Sequence, residues 1–111
     1  MITAGLIGYG YWGPNLLRNL QASGRFEVRA IAEPESERLE LARRAAPGAS
    51  GCADARELIE RGDIAAVLIA TPVATHHALA RQAIEHGKHV LIEKPMCRSA
   101  RQCEELIAFA A

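Results

Sequence analysis

The sequence predicts a doubly wound α/β domain on a parallel sheet. Three observations carry that reading. Short apolar runs alternate with amphipathic helical patterns. The joints between them are brief and punctuated by Gly or Pro. And Gly8-Tyr9-Gly10-Tyr11-Trp12-Gly13 falls between the first apolar run and the first helical one.

Thr3–Ile7 reads as a buried strand, and Pro14–Ser23 as a helix with Leu16, Leu17 and Leu20 on one flank. A proline in the first turn does little harm, because its missing N–H has no intrahelical acceptor there. Gly24 ends the helix. Glu27–Ala32 is the second strand, closed by Pro34. Glu35–Ala46 is a charged helix whose Leu39, Ala42 and Ala46 can face a sheet.

A weak third strand is expected over Ala49–Cys52. Asp54 then caps a short helix reaching about Arg61, with Glu57 completing a capping box. Ile64–Ala70 is nearly all apolar, as expected of a parallel strand covered on both faces. Ala74–His86 follows as a helix presenting Ala78, Leu79, Ala83 and Ile84, with Gly87 as its C-cap. Lys88–Glu93 is the fifth strand, broken by Pro95. Ser99 caps a last helix that runs to Ala111. Five strands are readable where a complete domain of this type has six. A chain cut before its sixth strand, the N-terminal piece of something longer, is therefore expected.

Thirteen basic and thirteen acidic residues cancel, leaving no electrostatic footprint for nucleic acid and no polybasic membrane patch. No apolar run approaches the roughly 18–20 residues that span a bilayer, and the start lacks a secretory signal. Cys52, Cys97 and Cys103 are odd in number and lack CxxC spacing, which points to ordinary thiols in a reducing, cytoplasmic setting. No metal site is expected. His76 and His77 are helical neighbours that diverge by about 100°, and no HExxH or paired cysteine supplies further ligands.

The glycines suit a dinucleotide. Gly8 permits the tight turn, Gly10 lets a pyrophosphate approach the backbone, and Gly13 lets the helix pack close to the sheet. Free N–H groups of the first helical turn then point at the phosphates. Glu33, twenty residues after Gly13 at the end of the second strand, is placed to accept from the adenosine ribose hydroxyls. A carboxylate there would meet a 2′-phosphate as a like charge, so NAD is favoured over NADP. Arg38 is the one nearby cation that could blunt this, placed a turn into the next helix. Trp12 can pack beneath the loop or against a second domain, and Tyr11 can line the cleft. Both are cofactor-side candidates without an assigned chemical role.

Ligands of such sheets lie beyond the carboxyl ends of the strands. Thr71, Pro72 and His76 land there after the fourth strand, and Glu93, Lys94 and Pro95 after the fifth. Lys94 can hydrogen-bond a nicotinamide ribose and a substrate hydroxyl, or simply pair with Glu93 at the surface.

With these residues in place, the sequence resembles the N-terminal Rossmann domain of the Gfo/Idh/MocA oxidoreductases. The shared features are GLIGYGYWG at 5–13, Glu33, IATPVATHHALA at 69–80 and GKHVLIEKP at 87–95. The GYWGPNLLRN start resembles members acting on nucleotide-linked sugars, such as UDP-N-acetylglucosaminuronate 3-dehydrogenases. The resemblance implies hydride transfer between a nicotinamide cofactor and a sugar or cyclic polyol carbon. It makes Lys94 the catalytic support of the reacting hydroxyl, gives Glu93 and Pro95 to the cleft, and puts His76 on the nicotinamide side. The strand-end acid is commonly aspartate in the family, whereas Glu33 is longer.

The family's C-terminal substrate domain, with its acid/base histidine, has no counterpart in these residues. Cofactor binding without turnover is therefore expected of the 111-residue chain, with pairing through an exposed sheet edge. Homo-oligomerisation is expected of the full-length protein. The competing class is a non-catalytic NAD(H)-binding sensor module, which explains the glycines and Glu33 but gives no reason for Lys94. A short-chain dehydrogenase is disfavoured, since neither TGxxxG nor YxxxK is present.

Overall fold

The computed structural model describes residues 1–92. Glu93, Lys94 and Pro95, and the helix expected from Ser99, lie outside the described residues. The described elements run β1 (Ile2–Ile7), α1 (Gly13–Ser23), β2 (Phe26–Ala32), α2 (Ser36–Ala45), β3 (Ser50–Cys52), α3 (Ala55–Ile59), β4 (Ala66–Ile69), α4 (His76–Glu85) and β5 (His89–Ile92), with one 3₁₀ turn at Val73–Thr75 before α4.

All five strands are parallel, in the order β3-β2-β1-β4-β5. This is the doubly wound Rossmann arrangement the sequence predicts, with the order reversing between β1 and β4. Strand periodicity divides the core in two. Leu6, Ile31 and Leu68 pack with Leu17 and Leu20 of α1 and Ala42 of α2. Their neighbours Ile7, Ala32, Val67 and Ile69 face the other way, onto Leu58 and Ile59 of α3 and Ala80 and Ala83 of α4. A sheet buried on both faces explains why its strands read as unbroken apolar runs.

Helix ends follow local chemistry. Gly24 and Gly87 both take positive φ, 68° and 73°. At Gly87 the chain closes a Schellman motif: Lys88 N–H donates to Ala83 O at 3.0 Å and Gly87 N–H to Ile84 O at 2.9 Å. Asp54 caps α3 through the amide of Arg56, one residue earlier than a capping box would use.

Two elements differ from the sequence reading. β4 begins at Ala66, because Ile64 N–H is turned back to Arg61 O and Ala65 N–H first meets Thr3 O. The buried face of α4 is His76, Ala80 and Ala83, while Ala78 is exposed. Apolarity alone favours Ala78, but hydrogen-bonded His76, one turn before Ala80, takes the inward position.

Candidate dinucleotide site

The turn after β1 sits at the point where strand order reverses. Gly8 N–H donates to Ala32 O at 2.8 Å, and Ala70 N–H to Ile7 O at 2.8 Å, so the turn is stitched to the ends of β2 and β4. Gly8 has φ +96°, and a Cβ there would lie 2.7 Å from Ala70 O. A Cβ on Gly13 would lie 2.6 Å from Gly8 O. Both positions therefore require glycine on structural grounds alone.

Gly10 is different. Its φ is unexceptional, and the nearest group to a Cβ placed there would be Arg38 Nη1, at 3.5 Å. Nothing in the fold forbids a side chain at Gly10, which would stand over the backbone of the turn beside Arg38. Beside it, Trp12 is the N-cap of α1 and provides no side-chain cap, and the first turn holds no acid. Its amino end is left open to an anion. Gly8 and Gly13 are thus required by the fold, whereas Gly10 is not.

Glu33 directly follows β2 and is only 5% exposed. Its Oε1 accepts Tyr9 N–H at 2.8 Å and its Oε2 accepts Glu35 N–H at 2.9 Å. The carboxylate ties the glycine turn to the start of α2, using both oxygens on backbone amides. Tyr9 is itself buried, while Tyr11 and Trp12 stand out from the turn at 85% and 49% exposure, in a T-shaped pair with ring centroids 4.9 Å apart.

Beyond β4, Thr71 and Pro72 line a cleft of about 400 Å³ whose floor is Ile7 and Ala32 and whose far wall is Pro34, Asp54 and Ala55. Its walls are mostly apolar and its mouth opens at the carboxyl ends of β1, β2 and β4, which suits a flat heteroaromatic ring. Thr75 Oγ1 donates to Pro72 O at 2.7 Å, so the proton in the 2.5 Å Thr71–Thr75 hydroxyl contact belongs to Thr71. His76 is 2% exposed, and its Nε2–H donates to Thr71 O at 2.7 Å. It braces the loop that carries Thr71 and Pro72. The structure therefore brings together Gly8, Gly10, Tyr11, Trp12, Gly13, Glu33, Thr71, Pro72 and His76 at one end of the sheet. Lys94 and its neighbours lie outside the described residues.

Arg38 is the residue that sequence reasoning undervalued. α2 begins at Ser36, so Arg38 is in its first turn, and helical side chains lean toward the helix N-terminus. The guanidinium consequently reaches back over Gly10, while its Nε pairs with Glu35 Oε2 at 3.1 Å. The readable signal was its place five residues after the strand-end acid.

The chain matches the family described as "Oxidoreductase family, NAD-binding Rossmann fold" over residues 2–111. It belongs to the Gfo/Idh/MocA oxidoreductase family. Among its relatives, inositol 2-dehydrogenase 4 of Saccharopolyspora erythraea is 40% identical over 100 residues, which is 86% of this chain and 28% of that protein. The dTDP-3,4-didehydro-2,6-dideoxy-α-D-glucose 3-reductase of Streptomyces violaceoruber is 38% identical over 98 residues, again 86% of this chain and 28% of that protein. KijD10, a 3-ketoreductase from Actinomadura kijaniata solved with NADP and TDP-benzene, superposes with a TM-score of 0.91 at 33% identity. The match covers 98% of this chain and 34% of that one. The chain thus spans about a third of the length of these Gfo/Idh/MocA relatives.

These structures overturn the expectation that NADP is the disfavoured cofactor: KijD10 is captured with NADP in several complexes. The geometry here shows why the like-charge argument fails. Glu33 is buried and engaged with two amides rather than standing exposed at the ribose position. Arg38, the one cation expected to blunt that argument, is the side chain that reaches the glycine turn.

Proposed function

We propose that this chain binds NAD(P) across the glycine turn and presents it for hydride transfer to or from a sugar or cyclic polyol carbon. The observation that carries the reading is Gly10, where the fold tolerates a side chain and a bound phosphate would not. The pyrophosphate lies on the backbone of Gly8–Gly13, and adenine fits the cleft between Pro34 and Pro72. When bound, the nicotinamide supplies the hydride donor or acceptor. Tyr11 and Trp12 stand at the mouth of the turn, on the cofactor's side.

Inositol dehydrogenases and deoxysugar-nucleotide reductases among the relatives support a polyhydroxylated ring as substrate. A nucleotide-linked sugar is the narrower proposal, supported by the 3-reductase and by the TDP-benzene complex. Lys94 remains the proposed support for the reacting hydroxyl, with Glu93 and Pro95 beside it, on the family resemblance.

Gly10→Val tests this directly. The variant is expected to keep the circular dichroism and urea midpoint of the parent, while affinity for NADH and NADPH falls at least about tenfold. A variant that folds and binds both dinucleotides as tightly as the parent would remove the basis of the assignment.

A further inference from the structure

We propose that a groove on the outer face of α1 holds the nucleoside diphosphate of a nucleotide-linked sugar, with the sugar itself turned toward the nicotinamide. The inference rests on the substrate class proposed above and adds where its nucleotide lies. The groove has a volume of about 300 Å³ and is lined by Trp12, Asn15, Leu16, Arg18 and Asn19. Trp12 is also the N-cap of α1, within the glycine turn. The groove therefore starts beside the expected cofactor pyrophosphate and runs along the helix.

Helical spacing builds it. Trp12, Asn15, Leu16 and Asn19 recur at the intervals that share one face of a helix, and Arg18 flanks them. Leu17 and Leu20 carry the packing of α1 onto the sheet, so the fold makes no use of the polar groups on this face. Asparagine is a poor helix former, because its amide competes with the backbone. Two of them one turn apart are a cost to α1 that solvation alone does not require.

The groove is rich in donors. An Arg18 Nη2–H donates to Asn15 Oδ1, which engages the amide oxygen of Asn15 and leaves its N–H groups for a ligand. Among the described residues, no acid lines the groove or stands in the first turn of α1. A diphosphate fits that set, and arginine meets phosphate oxygens in pairs. Trp12 is 49% exposed and meets Tyr11 edge to face at 4.9 Å. That contact orients the indole and leaves surface on which a base or ribose can stack. A ring joined to a diphosphate uses both features, whereas a simple sugar uses only the indole and an inorganic anion only the guanidinium.

The probe is thymidine diphosphate, titrated into the 111-residue chain with and without saturating NADH. The chain has one tryptophan, so the Trp12 indole N–H gives a single NMR signal, with the side-chain amides of Asn15 and Asn19 reporting beside it. Binding in the millimolar range is expected, with these signals shifting together and NADH changing the dissociation constant by less than about twofold. Arg18→Met is expected to weaken thymidine diphosphate about fivefold and Asn19→Leu about threefold, while NADH affinity moves less than about twofold. Gly10→Val should leave thymidine diphosphate binding in place, since the groove lies outside the turn. Displacement by NADH, or loss in Gly10→Val, would assign the nucleotide to the cofactor turn and overturn the proposal. Inorganic pyrophosphate or thymidine binding as tightly would reduce the groove to a charged or an apolar patch and overturn it too, as would the absence of any shift. A chain that fails to bind NADH yet gives these shifts would remove the cofactor reading and keep the groove, so the two failures are distinguishable.

Discussion

The two ends of the sheet use their charges in opposite ways. At the carboxyl end one buried acid, Glu33, is turned onto backbone amides from two different elements, and the cation beside it is lightly held. At the amino end the charges are matched to one another. Arg61 grips Asp63 through Nε and Nη2 at 2.9 and 2.8 Å, Arg29 approaches the same carboxylate at 3.6 Å and also holds Glu27, and Lys88 Nζ donates to Arg61 O and Ile64 O at 2.6 Å each. The difference shows how a domain can separate support from function. The amino end closes its own polar groups, whereas the carboxyl end fixes a turn and leaves amides and a cleft for a ligand.

The largest expected effect follows from Glu33. Glu33→Ala leaves the amides of Tyr9 and Glu35 without their acceptor in a buried place, and stability should fall by about 3 kcal/mol. Glu33→Gln keeps one acceptor oxygen and should cost about half as much. Both should also weaken dinucleotide binding, since the turn is no longer tied to α2. Urea titration with and without NADPH separates the two effects. A loss under about 0.5 kcal/mol for Glu33→Ala would mean that the carboxylate does not hold the turn.

Glu33 also shows where sequence reasoning stops. Its place at a strand end twenty residues after Gly13 is legible, because strand period and motif spacing are local. Its partner Tyr9 is not, being a backbone amide 24 residues upstream that is reached only once β1 and β2 pair. The fold was largely legible for the same reason: apolar runs, proline breaks and glycine caps are short-range signals. Arg38 was visible as a residue, but its reach depends on α2 starting at Ser36 and on the lean of helical side chains. His76 was placed correctly at the strand end. Its inward turn onto Thr71 O depends on the 3₁₀ turn that delays α4.

At the opposite end of the sheet, Lys88 isolates support from function. Lys88→Met keeps the aliphatic stem and removes the donors to Arg61 O and Ile64 O. A loss of about 1–2 kcal/mol is expected in urea titration. Dinucleotide affinity should stay within about twofold of the parent, since the change lies beyond the opposite ends of the strands. A selective loss of cofactor binding at unchanged stability would break the division of labour between the two ends.

The smallest effect is expected at Asp63, and it carries a pH signature. The Arg61 hydrogen bonds, reinforced by the charges of Arg61 and Arg29, pull its carboxyl from 3.8 down to about 2. A carboxylate depressed on folding contributes stability that is complete above its unfolded value and is lost as pH falls through the folded one. The contribution should therefore be present at neutral pH and disappear as pH drops from 3.8 to about 2. Asp63→Asn abolishes the charge, so parent and variant should differ at neutral pH and converge over that window. Salt should narrow the neutral-pH gap, because the charges are only partly buried. Urea midpoints measured for both proteins across the acid range test this. A gap that stayed constant down to the lowest pH would show that Asp63 acts through its shape and hydrogen bonds rather than its charge.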